Sequence, residues 1–189
     1  MFAVPYPSSF YEPHNGVYPD MTPPSSLEKR FPDVDAPLPV CILVSPYPHP
    51  TEPSPRDRQW SLAWSLPVRL SPPSSPSHRR SSTAHAPTAV ARVLETRQEP
   101  GRAHFTFWGP ITRARVPTEM HGARWVPVAV LGRKERRELE RIAGMVRVMK
   151  PNGWWNGQNW IVALLNAAVE EDVIAPEQRD SAIWAAAMP

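Results

Sequence analysis

The sequence predicts an α+β domain over residues 38–187, a small antiparallel sheet packed on a buried C-terminal helix, with the strands first and the helices last. Three observations carry this prediction. Short β-branched or alternating runs are confined to 38–131, whereas helical periods appear only after Arg133. Gln158–Glu171 has almost no polar face, the mark of a helix buried on most sides. Proline is uneven, with 20 of its 26 occurrences in the first 100 residues, so two compositional regimes share the chain.

Residues 1–36 are rich in Pro, Ser, Tyr and Asp and show no apolar period of 2 or 3.6. Little apolar burial offsets the entropy of ordering such a segment, so it is expected to be a disordered, Pro-rich leader. Leu38–Val44 is the first strand, closed by Pro46 and Pro48. In the second, Trp60, Leu62, Trp64 and Leu66 share one face, and Ser61, Ala63 and Ser65 the other. A disordered Ser/Pro-rich insert is expected at 67–87. Ala89–Leu94, Ala103–Trp108 and Ile111–Val116 follow as extended segments, the last two expected to form a hairpin about Gly109-Pro110. Trp125–Leu131 is the last strand, and Pro127 assigns it to an edge or a bulge. Arg133–Ala143 is a helix presenting Leu139 and Ile142 inward, with Gly144 as its C-terminal cap. Its charges are expected to pair along a solvated face as Lys134–Glu138 and Arg136–Glu140. Pro176 suits the first turn of a final helix carrying Ile183 and Trp184.

Composition excludes several function classes. The formal charge is +3, and residues 101–189 hold all of the excess, twelve Lys/Arg against nine Asp/Glu. So small a surplus does not indicate nucleic-acid binding. The single cysteine, Cys41, rules out an internal disulfide or a multi-cysteine metal site, and no motif points to a metal or cofactor. Met1–Pro7 has neither a basic n-region nor an apolar h-region, and no apolar run approaches the ~20 residues that span a bilayer. The expected setting is therefore intracellular, cytoplasmic or nuclear, without secretion or membrane insertion.

The informative stretch is Trp154-Trp-Asn-Gly-Gln-Asn-Trp-Ile-Val162, where a tight Asn-Gly opens the most buried helix. Asn156 is placed to cap that helix, whose first-turn N–H groups point out of the core. A helix N-terminus favours anions and lowers the pKa of a thiol set there. Trp154, Trp155 and Trp160 are read as core and rim packing.

Asn156-Gly-Gln-Asn-Trp-Ile, followed by Leu164-Leu165 and Glu170-Glu-Asp-Val-Ile174, resembles the Asn-Cys-Gln-Asp-Trp-Val segment of a group of uncharacterised fungal proteins. Upstream, Gln59-Trp-Ser-Leu-Ala-Trp resembles their His-Trp-Ser-Leu strand. Trp125–Leu131 with Leu139–Ile142 resembles their Val-Leu-Gly strand and the helix after it. That pattern is similar to the circularly permuted papain-like folds of the PPPDE and lecithin:retinol-acyltransferase-like groups, in which an early-strand His precedes a Cys at the start of a later helix. The resemblance covers about two-thirds of the chain, discontinuously, and implies a cleft between these two positions. Both depart from the pattern: Gly157 stands at the nucleophile position and Gln59 at the base. Glycine has no sulfur and glutamine does not titrate, so the thiol chemistry is lost. Cys41, inside an apolar strand, does not replace it. What the resemblance implies is a non-catalytic papain-like domain, a pseudoenzyme, binding a protein partner or a small ligand. Trp155, Asn156, Gly157, Gln158 and Gln59 would line the cleft, with His104 in the third, orienting position.

Two other readings compete. An enzyme of another mechanism would use His104, Glu119 or His121 in the same cleft, but no spacing brings two such groups together. A weak RNA-binding module would use Phe105 and Phe107 beside Arg113 and Arg115 on one sheet face. The Ser/Pro-rich segments add linear motifs. Ser45, Ser54, Ser71 and Ser75 each precede proline, Arg79-Arg-Ser-Ser82 is a basophilic-kinase pattern, and Pro73-Ser-Ser-Pro76 suits a polyproline reader. Ser54, Ser75 and Ser82 are the candidate phosphosites.

Overall fold

The computed structural model describes residues 7–45, 56, 58–67, 89–115 and 123–188. Its centre is an antiparallel five-stranded sheet. β1 (Leu38–Ser45) lies between β2 (Gln59–Leu66) and β7 (Arg124–Leu131), β3 (Ala89–Leu94) borders β2, and β6 (Ile111–Arg115) closes the far edge. The register sets Ile42 opposite both Leu62 and Val126, and Leu62 opposite Leu94. Two-residue strands β4 (Arg97–Gln98) and β5 (Phe105–Thr106) form a separate ladder beyond β3. Three helices follow: α1 (Arg133–Met145), α2 (Gly157–Glu170) and α3 (Pro176–Ala187). None of the described helices is long and apolar enough to cross a membrane.

The alternation in β2 decides which face is covered. Trp60, Leu62, Trp64 and Leu66 enter the main core with Val40, Ile42 and Val44 of β1 and Val126 and Val128 of β7. Against them lie Leu139 and Ile142 of α1 and Trp160, Ile161, Leu164, Leu165 and Ala168 of α2. All five of those α2 residues are fully buried, as a helix without a polar face requires. The opposite sheet face carries only a small cluster, Leu43, Ala63, Ala91 and Val93. β7 is an edge strand, and its register with β1 shifts between Val40 and Cys41, where Pro127 has no N–H to give the ladder.

Four sequence expectations are corrected. The leader, from Pro7 on, is docked on the domain. Glu12 N donates to Val148 O, Lys150 N to Phe10 O, Phe107 N to Asn15 O and Leu27 N to Thr112 O. At Gly16, with φ +80°, a Cβ would stand 2.2 Å from the Phe105 carbonyl oxygen, so only glycine fits there. Ionic and backbone partners supply what apolar burial does not. The fully buried Arg136 guanidinium bonds both Asp33 carboxylate oxygens (3.1 and 2.9 Å) and the carbonyls of Val34, Ala36 and Leu131.

The second correction concerns the 103–108/111–116 hairpin, which does not form. Phe105–Thr106 pairs with Arg97–Gln98 instead, and Ile111–Arg115 pairs with β3. Phe107 is drawn inward onto Trp160, their rings 4.8 Å apart, and the Thr106 hydroxyl bonds Gly16 O. Third, α1 runs through Gly144 to Met145, so Gly144 is a helical residue and its carbonyl accepts from Asn15 Nδ2. Fourth, the Arg136–Glu140 pair does not form: Arg136 turns inward and Glu140 bonds Arg92, while Glu138 bonds Arg141 and keeps Lys134 only as a Coulombic neighbour. Arg92 lies between Val90 and Leu94 on the helix-covered face and also holds Glu28 of the leader at 2.8 Å. Apart from Pro67, the insert expected at 67–87 lies outside the described residues.

Candidate functional site

The loop before α2 is set by its own side chains. Asn152 Oδ1 accepts from the N–H groups of Trp154 and Trp155 across a turn through Gly153, φ +81°. Asn156 then caps α2 as expected. Its Oδ1 accepts from Gln158 N (3.0 Å) and Asn159 N (3.3 Å), while Asn159 Oδ1 accepts from Asn156 N (3.0 Å), a reciprocal capping box. Trp160 is fully buried with its Nε1 on Val146 O, Trp155 meets Phe105 edge-on at 5.6 Å, and Trp154 is exposed.

Gly157 is the first residue of α2 and is buried. A Cβ built on it would lie 3.4 Å from Gln59 Nε2, 3.4 Å from Thr96 Oγ1 and 3.5 Å from Thr96 O. Gln59 and Gly157 therefore face one another, where β2 begins and β3 has ended. Gln59 Nε2 donates to the carbonyls of Thr96 (3.0 Å) and Trp60 (3.1 Å). Beside them, Thr96 Oγ1 is buried with no hydrogen-bond partner. These side chains bring neither a thiolate nor an imidazole to residue 157. The Gln59 amide nitrogen is a donor and does not take a proton from the Thr96 hydroxyl.

The other residues offered as cleft-lining hold the chain to itself. Asn156 Nδ2 donates to Arg56 O (2.8 Å), Gln158 Nε2 to Arg58 O (2.9 Å), and the Arg56 guanidinium to Trp154 O. The segment entering β2 is thus tied across the N-terminus of α2. His104 is not the third polar residue. Its Nε2 lies 3.1 Å from Gly16 O and its ring meets Tyr18 edge-on, both in the leader. Thr96 takes the position facing Gly157. Cys41 pairs in register with Ala63 of the small cluster on the opposite face, and burial pushes its thiol pKa up. The aromatic–Arg face of the RNA-binding reading is not built by Phe107 and Arg113. Phe107 is in the core and Arg113 pairs with Glu95 at 2.8 Å. His121, Glu119, Ser54, Ser71, Ser75, Ser82 and Pro73–Pro76 lie outside the described residues.

Sequence reasoning missed Thr96, Glu95 and Arg136. Glu95 is a buried carboxylate that accepts from Ser61 Oγ at 2.5 Å, and nothing in Leu94-Glu-Thr-Arg97 separates it from a surface loop. One signal was present: Ser61 sits on the polar face of β2, where a buried hydroxyl requires a partner. Among the described residues no three His, Cys, Asp or Glu side chains are grouped to hold a metal ion. Comparison with protein-family models, with curated proteins and with solved structures gives no match for this chain.

Proposed function

We propose that this chain is a non-catalytic domain of permuted papain-like type, acting as a binding module for a protein partner. One observation carries the reading. The two positions at which the family pattern has Cys and His are in contact, and they hold Gly157 and Gln59, with Gln59 Nε2 3.4 Å from the missing Cβ. A glycine and an amide facing one another at a helix N-terminus are compatible with a thiol–imidazole pair that has lost both reactive atoms, and this supports the reading. Asn156 and Gln158 are engaged by Arg56 and Arg58, so a partner would be met elsewhere on the domain.

The test restores the pair. In a Cys41→Ala background, Gly157→Cys is compared with Gly157→Cys/Gln59→His, and the thiol pKa is read from thiolate absorbance, which needs no reagent access. The imidazole of the double variant should bring the thiol pKa below that of the single variant and below the ~8.5 of a free cysteine. Equal pKa values in the two variants would end the papain-like reading and leave residue 157 a turn glycine.

A further inference from the structure

The exchange of ion pairs on α1 leaves charge over. Arg136 is drawn inward by Asp33, Glu140 is held by Arg92 at 2.7 Å, and Glu138 is held by Arg141. Arg133, Lys134 and Arg137 therefore have no carboxylate in ion-pair contact among the described residues, and Arg133 Nε is buried without an acceptor. These cations do not stand on a flat surface. With Arg141, Glu138 and Asp35 they line an open groove of about 460 Å³ between α1 and the leader. The leader wall is held by Arg136, which bonds Asp33, Val34 and Ala36 on either side of Asp35.

We infer that this groove binds an extended acidic peptide segment of a partner protein, with carboxylates at alternate positions. The inference rests on reading the domain as a binding module and supplies its contact surface. Spacing and sign both support it. Arg133 and Arg137 stand one four-residue step apart, about 6 Å along a helix rising 1.5 Å per residue, with Arg141, already paired with Glu138 and Glu171, one step further. Alternate side chains of an extended strand point the same way and are about 6.6–6.8 Å apart. Acidic residues at every second position thus meet successive cations on one line. The two carboxylates in the walls are Asp35, which matches the backbone N–H donors of a peptide, and Glu138, which Arg141 holds. They oppose a continuous polyanion, and among the described residues that line the groove none is aromatic, so no ring is there for a base to stack on.

The experiment uses the full chain and a fluorescein-labelled heptapeptide with Glu at its odd positions and Gly between, followed by anisotropy. Binding should be measurable at about 20 mM salt and weaken as salt reaches about 150 mM, because exposed charge pairs are screened. The variant Lys134→Glu/Arg137→Glu reverses two exposed charges without touching the core and should bind at least about tenfold more weakly. A peptide with Lys in place of Glu should not bind. No binding at low salt, or equal binding by the reversed-charge variant, overturns the inference. Tighter capture of an oligothymidine or of phosphatidylserine vesicles, lost in the same variant, overturns it in favour of a nucleic-acid or membrane surface. Gly157 and Gln59 are untouched throughout, so the outcome is separate from that of the thiol experiment.

Discussion

Replacing Arg136 by Met separates the charge from the volume it fills. The side chain is fully buried, and five hydrogen bonds leave its guanidinium, two to Asp33 and one each to Val34, Ala36 and Leu131. Methionine keeps most of the packing and removes every bond. Asp33 retains only Trp64 Nε1 at 3.2 Å, and three carbonyls lose a donor. Breaking a buried ion pair by removing one partner costs about 3–5 kcal/mol. The strap around Asp33 has an escape, since it can lift into water and rehydrate these groups. The loss in urea unfolding should then be about 3 kcal/mol, and the leader should come free. Trypsin reports the second effect directly, because Lys29 and Arg30 lie in the leader just before the strap. Arg136→Met should lower the denaturation midpoint and speed cleavage after Lys29 or Arg30. Asp33→Asn combined with it should add much less than its own separate cost, as expected of two residues in one network. A loss below about 0.5 kcal/mol, the range of an ordinary surface substitution, with cleavage unchanged would refute the account of the docked leader.

Two further predictions concern the core. Leu164→Ala, at a fully buried α2 position facing the sheet, should destabilise by about 2–5 kcal/mol in the same urea assay, and a value near zero would place α2 outside the core. Cys41 should react with iodoacetamide slowly at neutral pH and at the free-thiol rate only in denaturant, since burial raises its pKa and leaves it 7% exposed. The sign follows. A thiol whose folded pKa is above its unfolded value supports folding below the unfolded value, and that support is lost as pH rises through the folded one. Stability of the wild type relative to Cys41→Ala should therefore fall on going alkaline.

Legibility tracked whether a residue's role is local. The strands β1, β2, β3 and β7 and the helix α2 could be read because their periodicity is imposed by the face they bury, and Pro127 marked its own irregularity. The hairpin failed because its partners are distant in sequence. Phe107 answers to Trp160, and Ile111–Arg115 answers to β3, neither visible from Gly109-Pro110. The leader failed for a different reason. A composition argument counts apolar area, and this segment is held through backbone hydrogen bonds and the distant guanidiniums of Arg92, Arg102 and Arg136.

The candidate site divides along the same line, and the division explains what the site has become. Gly157 was legible because a local cue marks it, the Asn-Gly at a helix start, whereas Gln59 was singled out only by the resemblance of its strand to the family's His-Trp-Ser-Leu. Thr96 was not legible, because it acts only through its neighbours across the gap. Yet Thr96 sets the chemistry. Its carbonyl occupies Gln59 Nε2, and its hydroxyl fills the other side of the space a Cβ at residue 157 would enter. The Cβ of a residue there would meet Gln59 Nε2 and Thr96 Oγ1 at 3.4 Å, an ordinary van der Waals contact, so a Cβ is admitted at residue 157. One buried polar atom left without a partner, Thr96 Oγ1, sits at that same place. Such a group costs stability that an apolar replacement would recover. On the proposed reading, its presence beside an unfilled Cβ position follows from the loss of one reactive side chain from a polar site. That is why the restored Cys–His pair, rather than a search for turnover by the chain as it stands, is the decisive measurement.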